Sequence, residues 1–131
     1  MEKKSILVVD DDKDILESLK RILQSEGYSV DTAETWKEAI EKSKARFHHL
    51  ALLNIKLPDV KGTKLLTAMH ENFPKMVKIM LTGLPPTKAG EFLNLGAATY
   101  IVKPINPKKL LKIVREKLRE EEEAECVSKQ P

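Results

Sequence analysis

Five short apolar runs, SILVV (5–9), SVDTA (29–33), LALLN (50–54), VKIMLT (77–82) and TYIV (99–102), recur along the chain with longer segments between them. Each run has the length of a strand and is bounded by turn or charged residues. The segments between them change period. Ile15, Leu16, Leu19, Ile22 and Leu23 make one helical apolar face, and Leu110, Leu111, Ile113, Val114 and Leu118 make another. Thr35 followed by Glu38 suits a capping box, Asn106 with Pro107 suits an N-cap and first-turn proline, and Gly27 and Gly96 suit helix stops. Strict alternation of strand and helix predicts an α/β domain with a parallel sheet covered on both faces, and right-handed crossovers leave only a few ways to wind it.

That architecture directs attention to the carboxyl ends of the strands, because ligand sites of open α/β sheets lie beyond them, near the reversal of strand order. The first run is followed by Asp10, Asp11 and Asp12; the third ends on Asn54, the fourth on Thr82, and the fifth is followed by Lys103 and Pro104. Two or three carboxylates with a carbonyl from a neighbouring loop form an oxygen-rich pocket for a hard cation such as Mg²⁺. The same acids also suit a helix N-terminus, where negative charge is favourable. A lysine could neutralise phosphoryl oxygens and a threonine hydroxyl could donate to one. It is their joint placement at one predicted edge that points to phosphoryl chemistry.

A chain of 131 residues with 41% hydrophobic content suits one domain with one core. The net charge of +3 is small against 33% charged residues, and no basic block alternates with aromatics, so direct nucleic-acid binding is not expected. The single cysteine, Cys126, excludes a disulfide framework or zinc cluster within one chain. No apolar stretch has the length of a membrane span or a signal-peptide core, and a cytoplasmic location is expected. The last segment, REEEEAECVSKQP, has no apolar face after Leu118. Its composition suggests a domain over residues 1–120 and a charged flexible tail, or the start of a linker, over 121–131.

The motifs ILVVDDD, LLNIKLPDVKG, IMLTG and LGAATYIVKPI, in this order and spacing, resemble the receiver domain of two-component response regulators from about Ile6 to Leu118. The resemblance implies a flavodoxin-like, doubly wound five-stranded sheet of order 2-1-3-4-5 flanked by five helices. It implies a signalling domain, not an enzyme, in which an aspartate ending the third strand accepts a phosphoryl group from a histidine kinase. Carried over by position, Asp10 and Asp11 hold Mg²⁺ with residue 54 and the Lys56 backbone carbonyl. Thr82 is the switch hydroxyl, Tyr100 the aromatic whose rotamer follows it, and Lys103 the partner of the phosphate. Pro58 and Gly62 shape the loop after the acceptor, and Lys103-Pro104 matches a step that is usually cis in the family. The implied partners are a histidine kinase or phosphotransfer protein at the first helix and neighbouring loops, and an effector or second receiver at the fourth helix, fifth strand and fifth helix.

The departure falls on the acceptor: Asn54 stands where the family has its aspartate. An amide is close in shape to a carboxylate but cannot attack phosphorus as an anion. Phosphotransfer at residue 54 is therefore expected to be absent, and Mg²⁺ binding weaker. Two readings follow. In one, a phosphorelay receiver has had its acceptor substituted, by nature or by design; in the other, a natural pseudo-receiver works as a protein–protein interaction module. Retention of Asp10, Asp11, Thr82 and Lys103 together fits the first. A flavin or nucleotide enzyme on the same fold is disfavoured, since DDDKD repels phosphate without a metal. A dehalogenase-type phosphatase would need Thr or Val where Asp14 stands.

Overall fold

A computed structural model of the chain describes residues 3–54, 62–83 and 93–128. Its strands are β1 (Ser5–Val9), β2 (Ser29–Ala33), β3 (Leu50–Asn54), β4 (Val77–Thr82) and β5 (Thr99–Val102), with bounds identical to the five apolar runs. All pair in parallel in the order β2-β1-β3-β4-β5. The helices are α1 (Lys13–Ser25), α2 (Trp36–Ala45), α3 (Gly62–Asn72) and α4 (Pro107–Ser128). A further helix expected between β4 and β5 falls largely on residues 84–92, outside the described residues.

The two-fold alternation of strand side chains divides the interior in two. Ile6, Val8, Leu50, Leu52, Ile79 and Leu81 face Leu16, Leu19 and Leu23 of α1 and Leu110, Val114 and Leu118 of α4. Leu7, Val9, Ala51, Leu53 and Met80 face Ala39 of α2 and Leu65, Leu66 and Met69 of α3. With both faces covered, β1, β3 and β4 are buried along their whole lengths, and each large aliphatic side chain so buried contributes about 1.5 to 3 kcal/mol.

The helix signals act as their chemistry requires. Asp12 caps α1, its carboxylate accepting from the Asp14 and Ile15 N–H groups at 2.9 and 3.3 Å. Thr35 Oγ1 accepts from Glu38 N at 3.1 Å, and Asn106 Oδ1 from Lys109 N at 3.2 Å. Gly27 and Gly96 follow helical turns with φ of +93° and +110°, backbone that a side chain makes costly. At Gly96 space also decides: a Cβ there would lie 2.5 Å from Cγ of His70.

Three features depart from the sequence pattern. α4 runs unbroken through the acidic segment to Ser128. Glu, Lys and Arg are good helix formers, and Glu122 in the extension pairs with Lys4 before β1. In β4, Lys78 lies inside the α3-side core with 2% exposure. Its ammonium donates to the Phe73 carbonyl at 2.8 Å, just past α3, and approaches His70 Nδ1 at 3.5 Å. Burial lowers the Lys78 pKa to about 8, against a weaker raising effect of Glu121.

The third is a polar network at the amino ends of the strands. Fully buried His48 meets Asp31 at 2.7 Å, while Arg46 reaches Asp31 at 3.3 Å and donates to the hydroxyls of Ser5 and Ser29. Burial pushes the Asp31 carboxyl up, but the His48 contact and the charge of Arg46 outweigh it and hold it below its ordinary value. Nearby, one outward carbonyl of β2 is engaged. Ser29 N bonds Lys4 O, and Ala33 O accepts from Asp10 N, so odd-numbered residues of β2 face β1 and Thr32 points its carbonyl outward. The Lys42 ammonium from α2 donates to that carbonyl.

Candidate functional site

The parallel register brings the strand ends into line. Val9 pairs with Leu53 and Asn54 with Leu81, so Asp10, Asn54 and Thr82 end adjacent strands at one edge of the sheet. Lys103 follows β5, and its N–H donates to the Thr82 carbonyl at 2.7 Å, fixing it beside them. The Lys103-Pro104 bond is cis.

Side chains then converge. The Lys103 ammonium lies 3.0 Å from Asp10 Oδ2 and donates to Asn54 Oδ1 at 3.3 Å. The Asn54 amide nitrogen donates to Asp10 Oδ1 and Asp11 Oδ1, each at 3.3 Å. Asp10 Oδ1 also accepts from the Asp12 N–H at 3.0 Å. Asp10, Asn54 and Thr82 are buried and Asp11 is exposed, so the pocket has an inner wall and an open mouth. Burial pushes the Asp10 carboxyl above its ordinary range, against the lowering pull of the Asp12 N–H and the Lys103 ammonium.

Of the residues singled out from the sequence, Asp10, Asp11, Asn54 and Lys103 are joined directly and Thr82 closes the adjacent strand. Tyr100 pairs with Met80, two residues before Thr82, so both side chains lie on the α3 side of the sheet, where Tyr100 is half-buried. Lys56 and Pro58 lie outside the described residues, and Gly62 opens α3. Asp12 joins the pocket only through its N–H; its carboxylate is spent on the helix cap, so the acidic run serves both the site and the helix. Beside Lys103 an apolar groove of about 300 Å³ runs between Ile15, Leu19 and Ile22 of α1 and Pro104 and Ile105. Sequence periodicity assigns those α1 residues to the core alone.

The oxygen donors of Asp10, Asp11 and residue 54 are of the hard type that suits Mg²⁺. Asp10 and Asp11 fit such an ion, whereas Asn54 presents its N–H₂ to them and its carbonyl to Lys103.

Fold and site together define a doubly wound α/β domain with an acidic pocket and a lysine at the carboxyl edge of the sheet. The model of the response regulator receiver domain matches residues 6–115, and the chain belongs to that family. It is similar to a CheY-like receiver domain protein from Methanospirillum hungatei JF-1, at 48% identity and a TM-score of 0.89, over 94% of this chain and 99% of that one. The BeF3-activated DrrB receiver domain superposes with a TM-score of 0.83 at 31% identity, over 90% and 99% of the two chains. Among curated relatives, the Bacillus subtilis transcriptional regulatory protein YkoG is 32% identical over 92% of this chain and 53% of its own length. The phosphoglycerate transport system transcriptional regulatory protein PgtA of Salmonella typhimurium is 31% identical over 88% of this chain and 28% of its own. The chain thus spans about half or less of the length of these two. Membership makes it a receiver, a signalling domain. Among the described residues, no helix is long and apolar enough to cross a membrane.

Proposed function

We propose that this chain is a two-component receiver in which residue 54 occupies the phosphoacceptor position and, as asparagine, cannot take a phosphoryl group. The observation that carries the reading is the convergence of Asp10, Asp11, Asn54 and Lys103 within 3.3 Å contacts at the edge that Thr82 also borders. In this reading Asp10 and Asp11, with the Lys56 carbonyl, are the Mg²⁺ ligands, and the ion would supply charge neutralisation for phosphoryl oxygens. Asn54 removes one anionic ligand and lowers the affinity. Lys103 neutralises the phosphoryl group, and Thr82 donates to it.

The groove between α1 and Ile105 opens next to Lys103, and its apolar lining suits a helix of the kinase or phosphotransfer protein. Output runs through the Thr82–Tyr100 pair to the surface formed by the helix expected between β4 and β5, by β5 itself and by α4, which meets an effector or second receiver. Phosphorylation would bias an existing two-state equilibrium; Asn54 removes the bias and leaves the equilibrium. The receiver domain is assigned to residues 1–120, and 121–131 to a charged tail or the start of a linker.

The test is Asn54→Asp with Mg²⁺ and acetyl phosphate. A carboxylate oxygen attacks phosphorus, the bond to the acetyl oxygen breaks and acetate leaves, so a base-labile mass gain of one phosphoryl group is expected at residue 54. A folded Asn54→Asp domain that stays unlabelled refutes the reading. The alternative is a natural, phosphorylation-independent pseudo-receiver acting as an interaction module, favoured by the way Asn54 satisfies the acidic pair within the chain.

A further inference from the structure

Aspartate and asparagine at residue 54 differ in hydrogen-bonding capacity in one countable way. A carboxylate has two acceptor oxygens and can give one to a cation and the other to Lys103. An amide has one acceptor and one donor group. In this chain the single Asn54 oxygen accepts from Lys103 at 3.3 Å, and the N–H₂ lies between Asp10 and Asp11 at 3.3 Å from an oxygen of each. Turning the amide over would set N–H₂ against the Lys103 ammonium and the carbonyl against two carboxylates. Both changes are repulsive, so the neighbours dictate the orientation.

Charge gives the same account. Three carboxylates against one ammonium would leave two negative charges, the complement of a divalent ion. With Asn54 one negative charge remains from Asp10 and Asp11 after Lys103, and the amide dipole lies across it.

On the reading that this is a receiver pocket, we infer that the Asn54 amide stands in for the divalent cation between Asp10 and Asp11. A cation between Asp10 and Asp11 can gain residue 54 as a ligand only if the amide turns over, which takes its oxygen from Lys103 and sets N–H₂ against that ammonium. Cation and lysine contacts, compatible at a receiver with aspartate here, exclude each other in this chain. The pocket is therefore held in its resting arrangement without a metal, and millimolar Mg²⁺ is uncoupled from its conformation.

The experiment compares the full chain with Asn54→Asp by thermal unfolding and calorimetric titration in EDTA and in millimolar MgCl₂. The parent chain is expected to unfold at the same temperature in both. Asn54→Asp, with its third carboxylate unbalanced, should be less stable than the parent in EDTA and recover with MgCl₂, binding the ion about tenfold or more tightly, a gain of about 1.4 kcal/mol or more. Equal Mg²⁺ stabilisation of both proteins overturns the inference. Should Asn54→Asp fail to fold, the side-chain amide resonance of Asn54 in the parent decides: it stays in place on adding MgCl₂ if the inference holds, and a shift with loss of the Lys103 contact at millimolar ion refutes it. Phosphoryl labelling of Asn54→Asp is scored separately. A variant that binds Mg²⁺ as stated but takes no phosphoryl group sinks the proposed function and leaves this inference standing.

Discussion

Replacing Lys78 with methionine should make the domain more stable. Lys78 sits on a strand buried on both faces, and its pKa falls from an ordinary 10.5 to about 8. Each tenfold loss of proton affinity corresponds to about 1.4 kcal/mol, so holding this ammonium in the fold costs about 3 kcal/mol at neutral pH. Methionine fills similar space without a charge. The Phe73 carbonyl still accepts from Met76 N at 3.1 Å, so it is not orphaned, and His70 is exposed and can meet water. Allowing for the lost charge-assisted bond, the expected net gain is about 2 kcal/mol at pH 7, or roughly 5 to 10 °C in Tm. The pH dependence identifies the cause. Between 8 and 10.5 the unfolded chain binds the proton and the folded chain does not, so stability of the parent rises with pH through that window. Below pH 8 the cost is fully present. Urea unfolding of both proteins from pH 7 to 10.5 should show the advantage of Lys78→Met shrinking towards the alkaline end. A variant less stable than the parent at pH 7, or an advantage independent of pH, refutes the argument that the buried charge is the cost.

Asp31→Asn should lose about 1 to 3 kcal/mol, because it weakens the partners of buried His48 and of Arg46. The Asp31 carboxyl is held below its ordinary value in the fold, so this contribution is present above the unfolded pKa near 3.8 and lost as pH falls through the folded one. Denaturation curves of the two proteins should therefore converge in acid. Gly96→Ala should cost more than about 1 kcal/mol through its positive φ, with a further loss from the His70 ring; His70→Ala in the same chain should restore only the second part. Thr35→Ala should cost about 1 kcal/mol in thermal unfolding, the value of a lost helix cap.

The central strands β1, β3 and β4 were legible residue for residue because a doubly covered parallel sheet demands continuous apolar runs, and the half-buried edge strands β2 and β5 were legible from β-branched and aromatic residues between turns. Asp10, Asp11, Asn54 and Lys103 could be gathered from the sequence because they stand at the ends of those runs. What escaped was polar chemistry inside the covered layers. Lys78 interrupts the apolar run VKIMLT, yet a central strand with helices on both sides has no outward position for it. That conflict was the available signal. His48 and Asp31 are far apart in sequence and meet only through strand pairing, so no local pattern announces them. The length of α4 escaped for another reason: the absence of an apolar face points to loss of helix, whereas Glu122 finds Lys4, a charge contact that no apolar pattern announces.

The lysine laid along the outer edge of β2 has a bearing on how crowded molecules of this protein behave. A sheet ending in an open strand offers itself to any other open strand, and growth by that route needs a free outward carbonyl. Here the Thr32 carbonyl is engaged by Lys42, itself paired with Glu38 at 3.4 Å. A strand arriving from another molecule must displace a cation as well as find its register. One surface side chain of α2 thus blocks one of the outward groups of this edge strand, a contact that does not involve the pocket at the carboxyl ends of the strands.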